Sequence, residues 1–337
     1  MARIRDMTEG ASTMAVRRRG VLRSLRAGFA TLALTTASAA HAQTAPPVLD
    51  DPEANVVEAL VVSAKLPGPA WWRISDGDTT IYVLGVLQAL PRGQAWDTGV
   101  LDHRLDGAFA VILPPEGKAG IGDLPAALAL RGKLKSTAPL DASVGDLGPK
   151  LARARATLGK GAGAYDGWSP LGAGIMIAGD YRKSVRLETA EPERTIGRLA
   201  RKHRVKARPV ATYKVMPLVR TAVREHSREA GLICLEGVLA EVNAGPEAAR
   251  AAAWAWARGD VRGAIAGPRN FQRCLLALPG MADLERKGTQ DEVEALSAAM
   301  RTPGHAVAVY GIRSLVARGG VLDQMRARGF EVSTPAE

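Results

Sequence analysis

Two apolar segments more than two hundred residues apart constrain this chain most. The first is residues 79–93, TTIYVLGVLQALPRG; the second is residues 306–311, AVAVYG, followed by Ile312-Arg313-Ser314-Leu315. Each is a short run rich in β-branched, aromatic or small apolar residues, and each ends in glycine and hands over to a loop. Such runs read as strands buried on both faces of a sheet rather than as half-exposed ones. Ligands of open α/β sheets gather where the carboxyl ends of the strands meet the following loops. The expectation is a sheet in which these two strands lie side by side and bring both loops to one edge.

The segments between them set the class. Trp71-Trp72-Arg73-Ile74, a turn at 75–78 and the strand from Thr79 read as a β-hairpin, with Asp76-Gly77-Asp78 as a turn rather than a calcium loop. The tryptophan pair reads as core or sheet cover. Trp96, Val100, Leu101, Leu105 and Ala108 recur at helical steps. Residues 108–113, AFAVIL, then read as a buried strand stopped by Pro114-Pro115, giving a βαβ unit with a parallel pair. Residues 205–211 contain Pro209, which confines that strand to a sheet edge. Helices are expected over 124–134, 150–158, 168–182, 192–203, 215–230, 232–243, 247–258, 267–278, 290–300 and 321–328. Asp291, Glu292 and Glu294 then fall in a first turn, where they suit the helix dipole. Residues 161–167 read as a lid or a plain loop. The fold class is α/β (α+β): a central mixed sheet with a βαβ unit, surrounded by many helices, its first and last core strands adjacent. Aromatics are only 4% of the residues, so the core must rest on Ala, Val, Leu and Gly, which favours close helix packing.

The N-terminus reads as an export signal. Arg17, Arg18, Arg19, Arg23 and Arg26 precede an apolar run at 27–40 and Ala40-His41-Ala42, an A-x-A site with cleavage after Ala42. The run is too short to cross a bilayer; an amphipathic membrane-surface segment is the other reading. Arg18-Arg19 leaves the twin-arginine route open beside the general one, and Met7 or Met14 could serve as the start. Residues 1–42 are thus expected as signal peptide, 43–69 as a Pro-rich flexible leader with an edge strand or docking segment at 56–64, and 70–334 as the folded domain. Losing 1–42 removes seven basic and two acidic residues, so the formal charge drops from +11 to +6. That mild, dispersed charge argues against a nucleic-acid partner, and the cluster Arg201-Lys202-His203-Arg204 reads as a solvated helix end. No transmembrane segment is expected after processing, and the location is periplasmic or secreted. The two cysteines, Cys234 and Cys274, are a candidate disulfide there, with two buried thiols as the alternative.

YVLGVLQALP, AWARGD, Arg269-Asn270 and AVAVYGIRSLVARGGVLDQMRARGFEV occur in this order from about residue 70 to 332. In this it resembles the TraB/GumN family, which includes the Tiki-type metalloproteases. The resemblance implies metal-assisted hydrolysis, with G-x-x-H at both strand ends and a Glu after the next strand. This sequence departs from that pattern: Gln88 and Ser314 stand where the histidines would, and Pro114 stands about where the acid would. An amide and a hydroxyl are weak neutral ligands, and proline has no ligand side chain. A dication needs imidazole or deprotonated ligands. The expectation is a pseudoenzyme with no catalytic residue, no metal and no cofactor, acting as a binding or accessory protein of the cell envelope. Its residual pocket would comprise Gln88, Arg269, Arg313 and Ser314 and take a small polar or anionic ligand. The alternatives are a metal-dependent, peptidase-like hydrolase with a rearranged site, or a structural partner of an envelope protein that uses its surface and not the cleft. No other chemistry stands out. The five histidines show no paired spacing, Ser314 has no G-x-S-x-G elbow, and Glu188, Glu191, Glu193 and Glu236 read as solvated or ion-paired.

Overall fold

The computed structural model describes residues 56–189 and 191–336; the segment expected as an export signal and the start of the expected leader lie outside them. The chain enters along the core. Val56 bridges Ala317 and Ser63 bridges Asp260, on either side of a single 3-10 turn at Glu58–Leu60. Leu60 and Val61 are buried, so the docking reading holds for residues 56–64.

Strands β1 (Trp71–Ser75) and β2 (Thr79–Val86) form the expected hairpin, with Trp71 opposite Leu84 and Ser75 opposite Thr80. Its turn is tied by Asp76 Oδ1, which accepts from the backbone N–H of Thr79 at 2.9 Å and of Asp78 at 3.2 Å. After β3 (Leu90–Pro91) and α1 (Gly99–Leu105) come β4 (Val111–Leu113) and β5 (Glu116–Lys118). Helices α2 (Leu124–Lys133), α3 (Leu140–Val144), α4 (Gly148–Thr157) and α5 (Pro170–Ser184) follow. Next are β6 (Leu187–Glu188), α6 (Glu191–Lys202), β7 (Ala207–Pro209) and β8 (Thr212–Lys214). A run of helices comes next: α7 (Val215–Glu225), α8 (Arg228–Ala244), α9 (Pro246–Ala257), α10 (Val261–Ile265), α11 (Asn270–Ala277) and α12 (Met281–Ala299). The chain closes with β9 (Gly304–Gly311), α13 (Ile312–Val316), α14 (Val321–Ala327) and β10 (Glu331–Ser333).

Six strands form the central mixed sheet in the order β10-β1-β2-β9-β4-β7. β2 and β9 are parallel neighbours along their full length, and β7, with its proline, lies at the edge as expected. The βαβ expectation needs one correction. β4 runs parallel but pairs with β9, not β2, because β9 inserts between them.

Alternation sorts the sheet's side chains onto two covered faces. Trp72, Ile74, Ile81, Val83, Ala306, Ala308 and Tyr310 pack with α9, α10, α12, α13 and α14. Trp71, Leu84, Val111, Val307 and Val309 pack with Leu101 and Leu105 of α1 and Ile196 and Ala200 of α6. Both tryptophans of β1 are therefore core. Arg104 fastens α1 to the sheet: its guanidinium lies 4.5 Å from the Trp71 ring and 4.4 Å from the Tyr82 ring, a double cation–π contact. Burial pushes it down to about 10.

A second core joins α3, α4, α5 and α8 around Leu151, Trp168, Ile177, Leu235 and Leu239. Cys234 of α8 and Cys274 of α11 form a disulfide, so the bridge reading holds over the free thiols. A small satellite cluster of Leu130, Met216 and Val223 joins α2 to α7. Residues 161–167 are a plain loop pinned at two points. The Nε of Arg155 donates to the Ala164 carbonyl at 3.0 Å, and the Tyr165 hydroxyl donates to Asp180 at 3.0 Å.

Helix boundaries differ in three places. The expected helix at 215–230 is two, because the Ser227 hydroxyl caps a new start by accepting from Ala230 N–H at 3.0 Å. The segment expected as one helix at 267–278 starts at Asn270, preceded by the short α10. The last long helix begins at Met281, after Gly280 at φ 76°, rather than at residue 290. Asp291, Glu292 and Glu294 are consequently mid-helix and do not serve its dipole. Among the described residues no helix is long and apolar enough to cross a membrane.

Candidate functional site

Because β2 and β9 are parallel and in register, with Gly85 opposite Tyr310 and Val86 opposite Gly311, their carboxyl ends emerge at one edge. Gln88 and Ser314 leave that edge three residues after each glycine, and Pro114 follows the end of neighbouring β4. The topology thus brings together the strand ends that the sequence pattern singled out.

What lies beneath the edge is packed. A Cβ at Gly85 would stand 2.7 Å from the Trp72 ring and 3.2 Å from Ile312 Cγ1, so glycine is required there by close approach rather than by backbone angle. The Gly85 carbonyl accepts from Trp256 Nε1 at 2.8 Å, in a fully buried bond. The Trp256 ring in turn lies 5.4 Å from the Trp96 ring.

Each candidate residue has its own local setting. Gln88 is exposed, and its side chain has no partner among the described residues. The Ser314 hydroxyl donates back to the Gly311 carbonyl at 2.9 Å, within the first turn of α13. Arg313 donates to the Gly267 carbonyl, two residues before Arg269, so these two arginines sit on adjoining segments. Arg269 donates through Nε to Gln272 Oε1 at 2.6 Å. Two of the carboxylates are ion-paired: Glu188 pairs with Arg92 at 2.8 Å and also with Arg194, and Glu236 pairs with Lys150 at 2.6 Å. His203 Nε2 lies 2.8 Å from Asp102, His226 Nδ1 lies 2.9 Å from the Val223 carbonyl, and His305 Nε2 lies 3.1 Å from the Arg104 carbonyl.

Two buried polar groups at this edge escaped the sequence reading. Tyr310, the penultimate residue of β9, is fully buried, and its hydroxyl has no hydrogen-bond partner among the described residues. Glu292 of α12 is 7% exposed, and burial pushes it up to about 8. Burial and then the nearby Glu292 raise the Tyr310 phenol well above its ordinary value. The signal that could have found Glu292 is its spacing. It precedes Val293 and stands four residues before Leu296, both fully buried, on the inward stripe of a helix that starts nine residues earlier than expected.

Glu292 sets a pH dependence. The folded state holds this proton up to about pH 8, whereas the unfolded chain releases it near pH 4.5. Between those values the native state binds more protons, so stability falls as pH rises, by up to about 1.4 kcal/mol per pH unit. Glu292→Gln is expected to flatten that slope, matching the wild type near pH 4 and exceeding it at pH 8 in urea denaturation. Parallel slopes for the two proteins would refute this assignment.

As a metal centre the edge does not fit. Among the described residues no three His, Cys, Asp or Glu side chains gather as a ligand set. Concavities of about 630 and 320 Å³ lie elsewhere, the first along Glu193–Arg201 of α6 and the second between residues 143–147 and the start of α8.

The model of the TraB/PrgY/gumN family matches residues 70–334. No curated protein matches the chain, and no solved structure does.

Proposed function

The chain belongs to the TraB/PrgY/gumN family, and from that premise we propose that it is an exported, catalytically inactive binding or accessory protein of the cell envelope. Family membership brings the scaffold and not the chemistry. The observation that carries this reading is the state of the two strand ends. Where a ligand-bearing cleft would lie, Gly85 is closed over by Trp72, Ile312 and Trp256, and Ser314 is bonded back to its own turn. Gln88, Ser314 and Pro114 offer no imidazole and no carboxylate. This arrangement favours action through the protein surface, toward an envelope protein, over capture of a small polar ligand between Gln88, Arg269, Arg313 and Ser314.

Export rests on the basic, apolar and A-x-A succession within residues 1–42. The Cys234–Cys274 bridge fits an oxidising compartment. Metal analysis of the purified protein tests the loss of chemistry. Manganese, cobalt and zinc are each expected below a tenth of an equivalent per chain, and any peptidase activity in the preparation should be indifferent to chelator. Stoichiometric metal, or turnover abolished by chelator and restored by one of these ions, would establish the rearranged hydrolase instead.

A further inference from the structure

Helix α2 is apolar on opposite faces. Inward, Ala126, Ala127 and Leu130 pack with Leu134 against Met216 and Val223 of α7. Outward, Leu124 is 60% exposed, Leu128 is 61% exposed, and Ile121, in the turn just before the helix, is 96% exposed. At about 100° per residue, Leu124, Leu128 and Arg131 fall within roughly 60° of one another, on one stripe. A surface helix normally turns its second face polar, and neighbouring exposed aliphatic side chains mark a contact surface.

The charge beside the ridge identifies what it fits. Residues 124–135, LPAALALRGKLK, hold three cations and no acid. Arg131 and Lys135 are placed over the Trp168 ring, at 5.6 and 3.5 Å, rather than against a carboxylate. Asp123, between Ile121 and Leu124, has its Oδ2 accepting from the Gly120 N–H at 2.7 Å rather than facing these cations. An aliphatic ridge running into cations not paired with a carboxylate complements a surface with anionic groups outside and hydrocarbon beneath, which is the headgroup layer of an anionic bilayer. A second copy of the chain is a poor fit, since a two-fold contact would set this cationic face against itself. A phosphate backbone would leave the leucines uncovered.

We propose that the outer face of α2, Ile121, Leu124 and Leu128 with Arg131 and the following Lys135, docks peripherally on anionic lipid. The inference does not depend on the loss of metal chemistry. The test is co-sedimentation of the protein, in the form the cell accumulates, with vesicles of phosphatidylcholine alone and of phosphatidylcholine with a quarter phosphatidylglycerol. All variants share the same N-terminus, so any contribution of residues 27–40 is common to them. Binding is expected on the anionic vesicles, and Leu124→Gln/Leu128→Gln should weaken it about ten-fold. Arg131→Gln/Lys135→Gln, or 0.5 M salt, should weaken it by a similar factor. All four sites are exposed, and unchanged circular dichroism checks that the variants fold. Equal binding to neutral vesicles, no binding, or undiminished binding by both variants would overturn the proposal. So would a leucine variant that loses a concentration-dependent dimer in place of lipid binding.

Discussion

Trp256→Ala is expected to destabilise the protein by about 3–5 kcal/mol, the cost of emptying a fully buried indole site that the surroundings cannot collapse into. Trp256 does two jobs at the junction of β2 and α9. Its ring is buried in the core beside Trp96, and its N–H satisfies the Gly85 carbonyl at 2.8 Å. The two contributions separate experimentally. Trp256→Phe keeps most of the apolar volume and deletes the donor, leaving a buried carbonyl short of a partner, for about 1–3 kcal/mol. Trp254, two residues away on the same helix, is 58% exposed, and its replacement by alanine should change stability by less than about 0.5 kcal/mol. Urea denaturation of the three variants measures this as midpoint shifts at constant slope. Equal effects of the Trp254 and Trp256 alanine variants would show that the strand ends are not closed in the way described.

Breaking the Cys234–Cys274 bridge is expected to cost about 4 kcal/mol. The cysteines are 40 residues apart in sequence, and a cross-link over a loop of that size removes roughly this much chain entropy from the unfolded state. For a folded region of this size the thermal midpoint should fall by about 10 °C. The bridge also ties α8, the central helix of the second core, to α11, which ends shortly before α12 and Glu292. Calorimetry of the wild type with and without reductant, beside Cys234→Ser/Cys274→Ser, gives the comparison. The reduced wild type and the double variant should coincide, and reductant should not affect the variant. A midpoint indifferent to reductant in the wild type would mean that the bridge contributes nothing.

Much of the fold was legible because it is local or periodic. The β1–β2 hairpin follows from two apolar runs flanking Asp76-Gly77-Asp78, and the edge position of β7 from Pro209. The adjacency of β2 and β9 was legible for a different reason. Both runs are apolar at consecutive positions, which only strands covered on both faces tolerate, and both end in glycine at the same edge. The insertion of β9 between β2 and β4 was not legible, since a parallel strand's neighbour is chosen by packing and not by the connection that precedes it. The starts of α8 and α12 were missed for a related reason. At α8 a capping serine outweighed an apolar periodicity that runs on through it, and at α12 residues 285–289, ERKGT, hold no apolar residue to announce the helix.

At the strand ends the division is sharper. The sequence by itself determined which side chains follow the strand ends: Gln88, Ser314 and Pro114 bring an amide, a hydroxyl and no ligand side chain wherever the backbone places them, because donor identity belongs to the side chain. It also determined the cysteine pair and the succession of strand, glycine and loop. Only the tertiary structure decided that the space over Gly85 is filled by Trp72 and Ile312, that Trp256 satisfies the Gly85 carbonyl, that Ser314 is spent on Gly311, and that Glu292 is buried. Those outcomes depend on which distant segments meet, and burial, unlike donor identity, is a property of the whole packed chain.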